Sequence, residues 1–252
     1  MSARSIFGTV QNLSIVLRDL EDAGMRIVVG DDFALYRYYR STCANRGDIS
    51  PVFDTASSYI DETNGFWICG FNKLDELVHT QAVRLLDLSG ITLGKHLDIH
   101  RHKYIVPDTT PDPDLTFFQG PEALKTVTGS VGYCGDFWLP SHGLGGPRSH
   151  GATSLLSRLL FEILQQVWTP DFVFAFVPRY LATKGAHLRY GYTHCEPGAW
   201  IGPDKQITNE EYLIWMNAND IKGVTARDVQ SIRKAAHVAA MQAPLTSIDT
   251  NG

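Results

Sequence analysis

The chain has 252 residues, 44% of them hydrophobic and 19% charged, a length and balance that suit one globular domain with a substantial core and room for an insertion. A formal net charge of −5 argues against a general affinity for nucleic acid. No apolar run reaches the roughly 20 residues of a membrane helix and the N-terminus lacks the pattern of a secretion signal, so the expected location is the cytoplasm.

Apolar residues Ile6, Val10, Leu13, Val16, Leu17 and Leu20 recur with helical spacing and predict an opening helix that ends near Gly24. Residues 25–29 predict a short strand. Gly30-Asp31-Asp32 then caps a second helix over 33–44, stopped by Asn45-Arg46-Gly47. A weaker helix is expected within 51–59. Residues 65–71 and 77–86, joined by a polar link, predict an antiparallel hairpin. From 87 to 125 the chain is broken by Pro107, Pro111 and Pro113 and reads as an irregular insertion with a short helix of its own.

The most informative stretch follows. An apolar strand over 131–139 gives way to Gly- and Ser-rich residues, then to Arg148-Ser149-His150-Gly151-Ala152-Thr153 and an amphipathic helix. Leu155, Leu156, Leu159, Leu160, Ile163 and Leu164 form its apolar stripe. The first turn of such a helix offers backbone N–H groups and the positive end of the helix dipole to a phosphate, and Gly151 permits close approach. An ordinary strand-to-helix connection has the same look. A strand buried on both faces is expected over 171–177, then a helix over 179–188 that Gly185 weakens. A strand beginning at 190–192, a last strand at 211–216 and a closing helix over 225–241, with Thr225 as N-cap, complete the chain, leaving a frayed polar tail from about residue 242. Cys43, Cys69, Cys134 and Cys195 are widely spaced and are expected as reduced thiols.

This order of elements resembles the GNAT superfamily of acyl-CoA-dependent N-acyltransferases. Arg148-Ser-His-Gly151-Ala-Thr153 looks like the family's pyrophosphate signature, [Q/R]-x-x-G-x-[G/A], with Thr153 in place of the small final residue. Ala186-His-Leu-Arg-Tyr-Gly191-Tyr192 looks like the ending of a later family segment, A-x-x-x-Y-x-x-x-G-F, with His187 where the family has Tyr. Tyr36-Arg-Tyr-Tyr-Arg40, Asn45-Arg-Gly47 and the segment 80–86 look like the arrangement in the autoinducer synthase and N-acyl amino acid synthase branch. Of that branch's acidic signature only Asp54 and Asp61 are candidates. The resemblance spans about 25–220. It implies one α/β (α+β) domain over 1–252, with a mixed central sheet splayed between the strands at 131–139 and 171–177, helices on its faces, and an extra helix at each end.

The resemblance also implies a chemistry. Acyl-CoA or acetyl-CoA, or the phosphopantetheine arm of an acyl carrier protein, would be held by Arg148, Ser149, His150, Gly151, Ala152, Thr153 and Ser154, with its thioester beside the strand ending in Trp138 and Leu139. A splayed backbone there leaves an N–H to polarise the carbonyl. An amine acceptor needs a base, for which Asp136 and His142 are the candidates, and His187 is the candidate proton donor to the leaving thiolate. Each has a bland alternative: a surface charge for Arg148, a structural role for Asp136, a loop position for His142, simple packing for His187. Cys134 opens a covalent route. His96, His100 and His102 cannot share one regular face, so with Lys95, Arg101 and Lys103 they read as a basic patch for a carrier protein or CoA phosphate, and no metal is expected. Tyr36, Tyr38, Tyr39, Trp138 and Trp200 are either core or pocket lining. The expected function is acyl transfer from the thioester to a small-molecule amine by direct attack. A catalytically silent module that binds CoA or a protein partner is the alternative.

Overall fold

The computed structural model describes residues 3–43, 46–105, 112–140 and 151–226. Helix α1 (Ala3–Asp22) leads to β1 (Arg26–Gly30), α2 (Phe33–Ser41) and a hairpin of β2 (Gly65–Phe71) and β3 (Leu77–Leu88). The insertion holds α3 (Leu93–Ile99), β4 (Phe117–Gln119) and α4 (Ala123–Thr126). Then come β5 (Gly129–Trp138), α5 (Ala152–Val167), β6 (Phe172–Pro178), the short α6 (Arg179–Ala182) and α7 (Ala186–Arg189), β7 (His194–Ile201), β8 (Ile207–Asn217) and α8 (Ala218–Ala226). The strands form one mixed sheet in the order β1-β2-β3-β5-β6-β8-β7-β4. Its pairings are antiparallel apart from the parallel pair β5 and β6. This is the mixed central sheet expected from the sequence, with helices on both faces. None of the described helices is long and apolar enough to cross a membrane.

Side-chain alternation sorts the core. On one face Val16 and Leu20 of α1 and Leu155, Leu159 and Leu164 of α5 pack with Ile68, Val83, Val173 and Ile214. On the other, Phe33 and Tyr36 of α2 pack with Phe53, Trp67 and Cys69. The insertion covers the rest of that face, placing Leu93, Leu97 and Leu124 against Val131, Phe174 and Leu213.

Four expectations need correction. Residues 51–59 form turns, not a helix: Ser58 Oγ donates to the Pro51 carbonyl at 2.8 Å, Asp54 Oδ1 accepts from Ala56 N at 3.0 Å, and Arg84 reaches in to the carbonyls of Val52 (3.1 Å) and Tyr59 (2.8 Å). Side chains thereby take the place of helical hydrogen bonds. The strand expected to begin at 190–192 begins at His194 instead, because residues 190–192 close off α7. Gly191, at φ 81°, donates to Leu188 O (3.1 Å) and Tyr192 N donates to His187 O (2.9 Å), the paired bonds of a glycine C-cap. Gly185, also left-handed at φ 69°, divides the helix expected over 179–188 into α6 and α7. Thr225 lies in the last turn of α8 and does not cap a helix, its Oγ1 donating to Ile221 O at 3.0 Å. Asn217 and Asp220 cap α8 reciprocally instead: Asn217 Oδ1 accepts from Asp220 N, and Asp220 Oδ2 from Asn217 N, both at 3.1 Å. Residues 227–241 of the expected closing helix lie outside the described residues.

Candidate functional site

The site begins with a strand that carries one residue too many. Along β3 and β5, Ala82 faces Gly135 and Thr80 faces Trp138, so two steps on β3 oppose three on β5. The extra residue makes a bulge at Asp136, whose φ of 55° is left-handed, a conformation that Asp tolerates better than most residues. The Asp136 carbonyl accepts from Thr80 Oγ1 at 2.8 Å. On its other side β5 pairs with β6 only through Val131–Phe172, Gly132–Val173 and Tyr133–Phe174. Both strands then continue, to Trp138 and Pro178, without pairing to each other.

The gap is a cavity of about 220 Å³. Leu160, Ala175, Val177 and Ile214 give it apolar walls, Cys134 and Asp136 bring the bulged strand, and Arg46 closes one side. Burial pushes the Cys134 thiol up to about 12, which disfavours the thiolate a covalent route requires. Phe137 also lines the cavity, with its ring centroid 4.9 Å from that of Tyr190. A separate open groove of about 750 Å³ runs on the α2 side of the strand end, between Tyr38, Tyr39, Phe71 and Trp138, with Asp75 and Glu76 on its walls.

Helix α2 is tied to the bulge through charge. Asp32 caps it, accepting from Ala34 N (2.9 Å) and Leu35 N (3.2 Å), which fixes the phase that turns Tyr36 and Arg40 inward. Tyr36 donates its hydroxyl to Asp136 Oδ2, Arg40 Nε lies 2.8 Å from the same oxygen, and Arg46 Nη2 donates to Oδ1. Burial, and then the adjacent Asp136, hold the Tyr36 phenol well above its ordinary range. Both carboxylate oxygens are therefore engaged by protein donors, the geometry of an anchor.

On the opposite face His79 is wholly buried, edge-on to Phe137 with centroids 5.0 Å apart. Its Nδ1 bonds the Trp138 carbonyl at 2.8 Å. Since a carbonyl only accepts, Nδ1 carries the proton. Its Nε2 is buried without a partner.

Of the other residues expected at the site, Trp138 ends the strand and lies under Arg46, whose guanidinium carbon is 5.4 Å from its ring centroid. Leu139 is buried just beyond. Gly151, at φ 73°, is the N-cap of α5, and among the described residues no side chain caps that helix, so its end is left to backbone groups, as a phosphate would require. Ala152, Thr153 and Ser154 form the first turn, with Ser154 Oγ donating to Arg189 O at 3.0 Å. Arg148, Ser149, His150 and His142 lie outside the described residues. His187 sits in α7 with a buried, unpartnered Nδ1. It does not line the cavity, whereas Tyr190 and Tyr192 do. Trp200 is core, donating to Glu211 Oε2 at 3.0 Å. His96 bonds Tyr104 at 2.8 Å and stacks near His100, while His102 pairs with Asp114 at 3.0 Å. Among the described residues no group of three His, Cys, Asp or Glu side chains is placed to hold a metal ion.

Arg46 and His79 were not singled out by sequence reasoning. Arg46 read as part of a helix stop, and only its place in the branch-like Asn45-Arg-Gly47 marked it. His79 carried a clearer signal: with Gln81 it sets polar residues at alternate positions of a strand whose other residues are largely apolar.

No protein-family model and no curated protein matches this sequence. Solved structures to which it is similar include FeeM, an N-acyl amino acid synthase from uncultured soil microbes. That likeness has 10% identity over 89% of this chain and 97% of that one, with a TM-score of 0.36. Another is an aminoglycoside acetyltransferase, AAC(6')-Ib, in complex with coenzyme A and kanamycin, with 11% identity over 79% and 98% of the two chains and a TM-score of 0.40. TofI in an apo form has 12% identity over 81% and 97%, with a TM-score of 0.37. These are distant likenesses, and the chemistry of the site is carried by its own residues.

Proposed function

We propose that this chain is an acyltransferase that moves an acyl group from acyl-CoA, or from an acyl carrier protein, to a small-molecule amine by direct attack. The observation that carries the reading is the apolar cavity that opens where β5 and β6 part, beside a bulged strand and lined by Ser157, Leu160 and Phe161 in the second and third turns of α5. In this reading the pantetheine arm lies along the unpaired edge of β5, whose backbone N–H groups polarise the thioester carbonyl without any charged side chain. The acyl group enters the apolar cavity and the phosphates meet the first turn of α5. The amine attacks the thioester carbon, the C–S bond breaks, and the sulfur leaves as a thiolate that takes up a proton. His187 is the donor we assign for that proton. Asp136, committed to Tyr36, Arg40 and Arg46, holds the bulge in place. His142 is then the base that we assign to the acceptor.

Thermal denaturation in the presence of acetyl-CoA and longer acyl-CoAs tests the reading, because a ligand of the native state raises the midpoint by mass action. A saturable rise, with free thiol released on adding an amine panel, is the expected result. A rise without thiol release from any amine points to a binding module, and no rise with any thioester overturns the reading.

A further inference from the structure

Thr80 does more at the bulge than a strand residue needs to. Where the extra residue interrupts the ladder, Asp136 and Phe137 have no partner on β3 or on β6. The Asp136 carbonyl is met instead by a side chain, Thr80 Oγ1, at 2.8 Å. Arg46 Nη2 lies 3.1 Å from the same hydroxyl oxygen. A guanidinium can only donate, so Oγ1 accepts from Arg46 and gives its one proton to the carbonyl. Thr80 is wholly buried, which keeps bulk water from competing for that proton. Arg46 is itself held in place, through Asp136 Oδ1 and over the Trp138 ring.

The direction of this chain of bonds sets the direction of an amide. The peptide joining Asp136 to Phe137 is trans, so its N–H points opposite to its C=O. With the carbonyl turned to Thr80 on β3, the Phe137 N–H is turned away from β3, to the side on which β5 has parted from β6 and on which Asp136 and Phe137 line the cavity. Hydrogen bonds in a chain also polarise one another. The charge on Arg46 makes the Thr80 hydroxyl a stronger donor, and a carbonyl so engaged draws electron density from its own peptide nitrogen, which strengthens the Phe137 N–H in turn.

Building on the acyl-transfer reading, we infer that Thr80 is a positioning residue for the reaction: its hydroxyl aims the Phe137 N–H into the cavity and passes the influence of Arg46 on to it. That amide is then the donor that meets the thioester oxygen as negative charge develops there. Arg46 acts on the reacting carbonyl without touching it, through one hydroxyl and one peptide.

Two ligands that differ in the carbonyl alone test the inference: octanoyl-CoA and its thioether, S-octyl-CoA, titrated by calorimetry into the whole protein. Isotope-edited infrared spectroscopy reads the C=O stretch of the bound thioester alongside. The native protein is expected to bind the thioester about fivefold more tightly than the thioether, the effect of one hydrogen bond to a neutral carbonyl, and to lower its stretching frequency from the value in water. Thr80→Val, which keeps the shape and removes the donor, should bring the ratio below about twofold and abolish most of the lowering. Thr80→Ser should retain both effects. Thr80→Cys, a weaker donor, should fall between, and it keeps the test decisive if Thr80→Val fails to fold. A stretch unmoved by binding, or a lowering that survives Thr80→Val, overturns the inference, while the binding of octanoyl-CoA leaves acyl transfer standing. Failure of both ligands to bind overturns both.

Discussion

His79 donates from Nδ1 to the Trp138 carbonyl and leaves Nε2 dry, and burial holds its pKa down to about 3. His96 is lowered in the same direction, to about 4, by burial and then by His100, Arg84 and Lys103. In the unfolded chain an imidazole takes up its proton near 6.5. Between that value and the folded one the unfolded state binds protons that the native state does not, so stability is complete above about pH 6.5 and is lost as pH falls, by up to ~1.4 kcal/mol per pH unit for each group. The urea midpoint should therefore drop from pH 7 to pH 5. His79→Asn, whose amide still offers Trp138 a donor, should flatten the drop; an unchanged acid sensitivity would remove His79 as its source. From sequence, His79 was legible as a strand residue. What was not legible is that β3 is covered on both faces, which buries its polar members too, as Gln81 shows by donating to Leu156 O at 2.9 Å.

At the level of the element, α5 is the helix whose sequence spoke most clearly, and its leucine stripe is buried as expected. The stripe does not account for Arg158 and Glu162, which are also buried, with Arg158 Nη2 2.6 Å from Glu162 Oε1. Arg158 further donates to the carbonyls of Val224 and Thr225, tying down the end of α8. Periodicity marks the face turned to the sheet; it has no means of announcing a second helix, distant in sequence, laid over the charged flank. Arg158→Met should destabilise by about 3–5 kcal/mol, because Glu162 is left buried and alone, whereas the double change to Met at 158 and 162 should recover most of that loss. Denaturant melts of both variants check this, with faster amide exchange in α8 expected in each. A double variant no better than the single would refute it.

For the molecule as a whole, the parting of β5 from β6 sets the size of what can be bound. An apolar cavity of about 150 Å³ accepts benzene, so one of about 220 Å³ has room for about nine carbons. Each buried methylene contributes about 0.8 kcal/mol, roughly fourfold in affinity. Dissociation constants for acyl-CoAs should fall by about that factor per carbon and level off near nine or ten carbons. Ala175→Leu should bring the plateau to shorter chains. A flat series from acetyl to decanoyl would mean that the acyl group lies elsewhere. The two strands that part, and the helix between them, were readable because long apolar runs identify buried strands. Strand β4 was not, being three residues in a proline-broken insertion, and of β7 only an approximate start was readable, because it carries Pro197 and Gly198 in its middle, residues that argue against a strand unless it lies near an edge.

That edge position has a consequence for how copies of the chain meet one another. Beyond β8, strand β7 would present a row of open backbone groups, an adhesive border for any passing strand. The insertion lays Phe117–Gln119 over Ala199, Trp200 and Ile201, and Pro197, lacking an N–H, interrupts the remainder. Segment and proline together leave little uninterrupted backbone of β7 for another molecule to extend, so the irregular loop between β3 and β5 also guards this edge of the sheet against aggregation.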